Sequence, residues 1–312
     1  MLIQEEFDVY RYEGEVGIEV EMEGNNLPRR VNIDWELKRD GSLRGDAIEY
    51  ITRTPLHREN VEKALKTLYS KFKTASLEPS DRCGVHIHLN CQTLTVEQTI
   101  NLIVLYIILE ELLVDFCGEE RKGNLFCLRV SDAEGILFIL RTICKNNSFK
   151  YISNRQRYYR YAAINITALR KFGSLEFRSM YTPLDYRIIL DWIRILLRMK
   201  DYSLEFKSSK EFVQQINELG GYQFVVNIFG DILPTLTKNL NMFNKKETLS
   251  DMILQGARTV QDIAYINKKK INKKKNLLNI KDSYRDVSLH VPLRVSRWQI
   301  AEDIVISTTD PT

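Results

Sequence analysis

The sequence predicts an α+β protein whose sheet has one polar face and one apolar face. In three short segments, 17–22, 84–90 and 175–178, charged or imidazole side chains recur at every second residue. Side chains alternate between the two faces along a strand, so each segment places its polar pair on one face and its apolar residues on the other. Elsewhere apolar residues recur every three to four positions, which indicates flanking helices.

The first elements are strands. Residues 16–53 alternate polar and apolar side chains, and the turn formers Asn25-Asn26 and Asp40-Gly41 divide this region into separate strands. A helix is predicted over 58–72 from its apolar spacing, and the histidine-bearing strand 84–90 follows it. Two elements therefore separate the first carboxylates from the histidines.

A long helix is predicted after the histidine-bearing strand. Thr95 and Gln98 have the spacing of a capping box, so we expect a helix from Thr95 to about Phe116, ended by Gly118. Its apolar run 102–109 is less than half the length that spans a bilayer, which indicates a buried helix and no membrane partner.

The second half is predicted to contain further helices, two strands and a distinct C-terminal region. Helices are expected at 132–144, 184–199, 210–219 and 221–240, and strands at 162–166, 174–180 and 303–307. We predict a catalytic domain over 1–237 and a Lys/Asn-rich extension over 238–312, packed on that domain or appended to it. The extension holds the near-repeat 266–275, in which Ile-Asn-Lys-Lys-Lys occurs twice.

Composition excludes several classes of protein. The net charge of +4 comes from 45 basic and 41 acidic residues, which argues against bulk nucleic-acid binding. Five cysteines without a Cys-x-x-Cys pair predict neither a disulfide framework nor a thiolate zinc site. The N-terminus lacks the features of a signal peptide, so we expect a cytoplasmic protein. Phosphate-binding glycine loops and the serine hydrolase motif do not occur.

Carboxylates and histidines are the candidate metal ligands. Glu19 and Glu21 lie roughly 6 to 7 Å apart on one strand face, which suits oxygen coordination of Mg²⁺. Asp40 and Glu49 could complete the acidic cluster, although solvated strand faces often carry such charges without a ligand.

His86 and His88 are two of four histidines, and they share a face of an apolar strand. A same-face imidazole pair is typical of metal or phosphate sites, whereas a single histidine is usually structural. Zinc is the rival ion, but carboxylate partners favour Mg²⁺ or Mn²⁺.

Arginines supply the positive charge that phosphoryl chemistry requires. Arg157, Arg160 and Arg178 could each present a bidentate guanidinium group to a phosphate. The alternatives are a basic surface loop around 155–160 and a simple ion pair between Glu176 and Arg178. The Lys-rich segment Lys268–Lys275 could contact an anionic polymer, or it could be a solvated face.

In series, these motifs resemble the carboxylate-amine ligases of the glutamine synthetase and glutamate-cysteine ligase superfamily, and within it the amidoligase family. The resemblance covers about residues 14–185. It rests on Gly-x-Glu-x-Glu, Asp-Gly-Ser with a following Glu, Gly-x-His-x-His, Arg-rich and Asn-containing segments, and Glu-Phe-Arg, which occur in the family's order.

The resemblance implies a curved antiparallel, glutamine synthetase-like sheet with flanking helices and metal-bound ATP on the concave face. The apolar spacing adds a helical C-terminal region. The γ-phosphoryl group would pass to a substrate carboxylate, and an amine would attack the acyl phosphate. The implied cofactors are ATP and Mg²⁺, with Mn²⁺ as an alternative. The implied metal ligands are Glu19, Glu21, Glu49, His86, Glu176 and Asp40. The implied nucleotide contacts are His88, Arg178 and Arg160, while Arg178 with Arg157 or Arg160 would neutralise the transferred group and Asn165 would position the substrate.

We therefore predict an ATP- and Mg²⁺-dependent ligase that joins small-molecule or peptide carboxylates and amines. One alternative is a metal-dependent hydrolase or phosphodiesterase built on the same Glu and His cluster. The other is a non-catalytic binding or assembly subunit of the same fold. The sequence selects neither the two substrates nor an oligomeric state, because the large additional domain of glutamine synthetase has no counterpart in the motifs found. Residues beyond about 200 match no motif, so the acceptor site is not assigned.

Overall fold

A computed structural model describes residues 1–39, 41, 43–152, 161–241 and 243–265 of the 312-residue chain. Several predicted features lie outside the described residues. They are Asp40, Arg157, Arg160, the segment Lys268–Lys275 and the β-like stretch 303–307.

In the described part of the chain, strands and helices are interspersed up to residue 181, and the elements after it are helical. The strands are β1 (Val16–Asn25), β2 (Trp35–Lys38), β3 (Ala47–Thr52), β4 (Ser76–Leu77), β5 (Gly84–Asn90), β6 (Ile164–Asn165) and β7 (Ser174–Tyr181). The helices are α1 (Ile3–Phe7), α2 (Arg58–Lys71), α3 (Val96–Phe116), α4 (Glu134–Asn146), α5 (Ala168–Phe172), α6 (Tyr186–Ser203), α7 (Lys210–Leu219), α8 (Gly221–Phe229), α9 (Leu233–Leu236) and α10 (Lys245–Tyr265).

The strands form one open antiparallel sheet, which confirms the α+β class. Its order is β2-β3-β1-β5-β7-β6, and β4 pairs with the end of β1. Each named pair of strands is antiparallel. β1 and β5 lie at the centre, although residues 26–83 separate the end of one from the start of the other.

The apolar face of the sheet packs against helices. Ile18, Val20, Val85, Ile87 and Phe177 are fully buried, as the alternation in sequence predicted. α3 crosses this face, where the ring of Tyr106 lies 5.3 Å from the ring of Phe177. α6 packs beside α3, and α10 covers the other side of α3. Because both sides of α3 are covered, its apolar residues surround the helix instead of forming one stripe.

Two predicted elements differ in extent from those observed. The helix predicted over 221–240 ends at Phe229, because Gly230 adopts φ +48° and ψ −115° and breaks the helical path. α9 follows as a single short turn. The strand predicted over 162–166 is confined to Ile164–Asn165.

Among the helices in the described part of the chain, none combines the length and apolarity that crossing a bilayer requires. All five cysteines are free thiols; four are buried and Cys144 is exposed.

Candidate functional site

The antiparallel register brings charged side chains from four strands together on the polar face. In the pairing of β1 with β5, Glu19 lies opposite His86. The pairing of β1 with β3 places Glu21 opposite Glu49. Residues opposite one another in a sheet share a face, so these side chains form one cluster.

The outer strands extend the cluster. His88 lies opposite Glu176 on β7, and Asn165 on β6 lies opposite the same glutamate. Arg178 is two residues further along β7 and belongs to the same face. Eight predicted site residues therefore converge. They are Glu19, Glu21, Glu49, His86, His88, Asn165, Glu176 and Arg178.

His86 lies at the centre of this cluster. Its Nδ1 atom is 3.1 Å from Glu19 Oε2 and 3.6 Å from Glu176 Oε1, and its Nε2 atom is 3.9 Å from Glu21 Oε1. Arg178 Nη1 lies 3.3 Å from the same Nδ1 atom. A ring nitrogen can donate to Glu19 or accept from Arg178 but cannot do both, so the tautomer of His86 depends on its neighbours.

His88 is held from two sides. Ser174 Oγ lies 3.0 Å from its Nδ1 atom, and Glu19 Oε1 lies 3.2 Å from its Nε2 atom. The second contact is a close electrostatic approach without hydrogen-bond alignment, since Nε2 has no hydrogen-bond partner among the described residues. The ring edge also meets Phe172 at a centroid distance of 5.7 Å.

Glu176 is oriented by an amide and a guanidinium group. Asn165 Nδ2 donates to Glu176 Oε2 at 2.6 Å, and Arg178 Nη1 forms an ion pair with Glu176 Oε1. Asn165 is itself fixed, because its Oδ1 atom accepts hydrogen bonds from the backbone N–H and the hydroxyl group of Thr167. The carboxylate therefore has both oxygens engaged in defined directions.

Gly84 provides space at the start of β5. Its N–H donates to Glu21 Oε2 at 2.7 Å. A Cβ atom at this position would lie 3.3 Å from His86 Nε2 and 3.5 Å from Glu21 Oε2. The absence of a side chain thus allows Glu21 and His86 to approach each other across the sheet.

The pKa values follow from burial and from these neighbours. Burial of Glu19 opposes ionisation, but contacts with His86 and His88 outweigh it and hold the pKa well below its usual range. For Glu176, burial again opposes ionisation, and the charge of Arg178 does most to lower the pKa. His88 has a raised pKa because the contact with Glu19 outweighs the effect of burial. Both carboxylates are therefore held as anions at neutral pH.

The donor set fits hard divalent cations. Two groups of side chains, Glu19 with His86 and Glu176, and Glu21 with Glu49 and His86, place one ligand atom each within 4.8 Å of the others. The cluster contains four carboxylates and one permanent positive charge, that of Arg178, and buried carboxylates at this density require a counter-charge. Oxygen-rich sets of this kind suit Mg²⁺ or Mn²⁺ better than zinc.

One atom of the cluster also suits an anion. Arg178 Nε is buried and has no acceptor among the described residues. A buried donor without an acceptor is unfavourable, and a phosphoryl oxygen is one group that could satisfy it.

The sequence did not identify three residues that support the cluster. Ser174 has the period-two spacing of Glu176 and Arg178, so the strand pattern could have identified it. Thr167 bonds Asn165 only two residues away, so the Asn-x-Thr spacing could have identified it as well. Arg121 carries no local signal, because its contacts depend on the tertiary fold. The predicted ligand Asp40 and the predicted phosphate-binding Arg157 and Arg160 are not among the described residues, and their roles stay predictions.

Comparison with known proteins confirms the family resemblance over the central part of the chain. Residues 51–199 match a family model described as "Putative amidoligase enzyme". The match includes β5 and β7 with His86, His88, Glu176 and Arg178, whereas Glu19, Glu21 and Glu49 precede it. No curated protein matches the chain.

Proposed function

From the amidoligase match over residues 51–199, which indicates a ligase, we propose that the chain catalyses ATP- and Mg²⁺-dependent formation of an amide bond through an acyl phosphate. The observation that carries this proposal is the convergence of four carboxylates around His86 on one sheet face. A glutamine synthetase-like curvature of the sheet is part of the same proposal.

The carboxylates would hold the metal. Glu19, Glu21, Glu49 and Glu176, together with His86, present oxygen and nitrogen ligands from β1, β3, β5 and β7. When bound, Mg²⁺ neutralises phosphate charge and makes the γ-phosphorus more susceptible to attack. Strands joined in one hydrogen-bonded sheet keep these ligands in fixed relative positions, which lowers the cost of organising them during the reaction.

The remaining side chains would act on the substrates. Arg178 places a guanidinium group next to Glu176 and His86, where it can offset negative charge on a transferred phosphoryl group. His88 is oriented by Ser174 and is proposed to contact the nucleotide. Asn165 orients Glu176 directly, in addition to the proposed positioning of the substrate.

The proposal is tested by measuring ADP release from Mg²⁺-ATP with pooled amino acids and small peptides. ADP should form only when both a carboxylate and an amine are present. Glu19→Gln keeps the shape of the side chain but removes its charge, so we expect a decrease of roughly 100-fold or more. Glu62→Gln is the matched control, because Glu62 is an exposed residue of α2 paired with Lys66.

Two results would contradict the proposal. Equal ADP release by the Glu19→Gln variant would remove the assigned metal site. If no ADP forms and calorimetry detects no binding of Mg²⁺-ATP, the ligase mechanism is wrong, and turnover of phosphodiesters without ATP would then favour the hydrolase alternative.

We also propose a cytoplasmic location. Five free cysteines are consistent with a reducing compartment. Rapid oxidation of the exposed Cys144 in extracts of the native compartment would contradict it.

A further inference from the structure

The pairing of β5 with β7 contains a bulge next to His86. Val85 lies opposite Met180 and Ile87 lies opposite Phe177, so the single residue His86 faces both Arg178 and Ser179. A bulge of this kind interrupts the ladder of backbone hydrogen bonds and redirects the side chains beside it. The arginine of the candidate site is therefore one of the two bulged residues.

Arg121 satisfies the backbone of this bulge. Its Nη2 atom donates to the carbonyl oxygen of Arg178 at 2.8 Å, and its Nε atom donates to the carbonyl oxygen of Ser179 at 3.1 Å. Its Nη1 atom lies 3.4 Å from the carbonyl oxygens of Asp81 and Cys83, in the chain that leads into β5. One guanidinium group therefore connects the bulge in β7 to the start of β5.

The position of Arg121 depends on a turn that follows α3. Gly118 adopts φ +102°, a conformation that residues other than glycine rarely adopt. The short 3-10 turn Glu119–Arg121 follows it. Arg121 is 2% exposed, although arginine is seldom buried to this degree without charged partners. Its side-chain hydrogen bonds with the described residues are all donated to backbone carbonyl oxygens.

The guanidinium group also reaches the edge of the metal-binding cluster. A Cβ atom on Gly84 would lie 3.2 Å from Arg121 Nη2 and 3.3 Å from His86 Nε2. Gly84 thus leaves a space that Arg121 borders on one side and His86 on the other. A change in the position of Arg121 would be transmitted to both His86 and the bulge.

We propose that Arg121 is a positioning residue, which holds the bulge at Arg178-Ser179 and so sets the placement of Arg178 and His86. This proposal rests on the proposed function, because it assigns Arg121 a role in that same site. Burial of a guanidinium group is costly, and here that cost is offset because the group donates to buried carbonyl oxygens that an apolar residue would leave without donors. Four carbonyl contacts from one planar group explain why the position holds arginine.

The test compares Arg121→Lys with wild type. Lysine keeps the charge, but its single ammonium group cannot reach the four carbonyl oxygens that the guanidinium fork spans. The first readout is the ¹H–¹⁵N spectrum of the histidine rings, in which a His86→Gln variant identifies the signals of His86 among those of the four histidines. The second readout is the affinity for Mn²⁺ alone, measured by electron paramagnetic resonance.

We expect shifted ring signals of His86 and a roughly tenfold weaker Mn²⁺ affinity in Arg121→Lys. Arg58→Lys is the matched control, because Arg58 also connects distant elements, through Glu15 and Asp201, but lies outside the cluster. This control should lose stability without changing either readout.

A folded Arg121→Lys variant with unchanged His86 signals and unchanged Mn²⁺ affinity would overturn the proposal. If Arg121→Lys does not fold, Gly118→Ala is tested instead. This substitution disturbs the turn that carries Arg121 without contacting His86. Unchanged His86 signals and unchanged Mn²⁺ affinity in Gly118→Ala would likewise overturn the proposal. If wild type binds no Mn²⁺, the metal ligands assigned under the proposed function are wrong for the nucleotide-free protein, while the His86 signals still report on Arg121 separately.

Discussion

Glu110 is a titratable residue that the proposed function does not use. It lies in the middle of α3 with its carboxyl group buried, and the backbone N–H of Val130 lies 3.0 Å from both of its oxygens. Burial raises its pKa to about 8, although the hydrogen bond from Val130 and the charge of Arg129 oppose this. In the folded protein the group is therefore mostly protonated at neutral pH.

This raised pKa predicts a pH-dependent stability. The unfolded chain loses the proton near the ordinary pKa of 4.5, whereas the folded chain keeps it until about pH 8, so folding takes up a proton between these values. The contribution to the free energy of unfolding is fully present below about pH 4.5 and falls as pH rises, by up to about 1.4 kcal/mol per pH unit.

Glu110→Gln should remove this dependence, because the amide cannot ionise. We expect the variant to gain stability relative to wild type as pH rises from 5.5 to 8, measured by urea unfolding at each pH. Glu97→Gln, an exposed position on the same helix, is the control. Parallel stability profiles of Glu110→Gln and wild type would show that the buried carboxyl group is already ionised.

Residues of the candidate site could be predicted from sequence where the signal was local. The period-two alternation of strand side chains predicted that Glu19 and Glu21 share one face, and that His86 and His88 share one face. Arg121 has no such signal, because its contacts lie in segments that end about 40 residues before it and begin almost 60 residues after it. Only the tertiary fold shows what it binds.

At the scale of elements, the start of α3 provides a measurable test. The capping box predicted from sequence is present: Gln98 N–H donates to Thr95 Oγ1 at 3.1 Å, and Thr95 N–H donates to Gln98 Oε1 at 2.9 Å. These bonds satisfy two backbone donors that a helix otherwise leaves without partners.

Thr95→Ala should lower the free energy of unfolding by about 1 kcal/mol, because one backbone donor of α3 loses its acceptor. Thr95→Ser keeps the hydroxyl group and should retain most of the stability. Thr67→Ala is the control for loss of a half-buried helical threonine whose hydroxyl donates to the carbonyl oxygen of Lys63 and caps no helix. Urea unfolding measures all three variants, and equal stability of Thr95→Ala and Thr95→Ser would refute the cap.

Long helices were predicted well because their apolar spacing repeats over several turns. Short helices were missed because they contain no such repeat. The apolar spacing identified α2 and the cap identified α3, since each helix has several turns of consistent pattern. α1 and α5 have five residues each, which is too few for a period to become visible. The single helix predicted over 221–240 was wrong beyond Phe229, because a glycine such as Gly230 can occur within a helical pattern and can also adopt the positive φ observed here.

At the scale of the whole molecule, the alternation of polar and apolar residues predicts which face of a strand each side chain occupies. It does not predict which strands pair with one another. The sheet places β1 beside β5 and β5 beside β7, and these pairings join residues far apart in sequence. Their register is what gathers the carboxylates around His86. The predicted antiparallel arrangement came from the family resemblance, because no local feature of the strands specified it.

The described part of the predicted C-terminal extension includes the helix α10. This helix packs against α3 and α8. The backbones of α10 and α3 approach closely at Gly256, where a Cβ atom would lie 2.2 Å from the carbonyl oxygen of Ile108 and 2.7 Å from that of Ile107. Backbone atoms cannot move aside as the end of a flexible side chain can, so the two helices would have to separate.

Gly256→Ala therefore sets two effects against each other. Alanine favours the helix by up to about 1 kcal/mol over glycine, whereas overpacking a buried contact typically costs about 1 to 3 kcal/mol. Because the clash is with backbone, we expect the cost to exceed the gain and the free energy of unfolding to fall. Gln255→Ala, on an exposed position of the same helix, should change stability by less than about 0.5 kcal/mol.

Hydrogen exchange distinguishes the two ways in which the clash could be relieved. If α10 is part of the same cooperative unit as the sheet, Gly256→Ala should speed exchange in α3 and β7 together with α10. If only α10 exchanges faster and the free energy of unfolding is unchanged, the helix detaches without loss of the core. That result would place the described part of the extension outside the cooperative fold, despite its contact with α3.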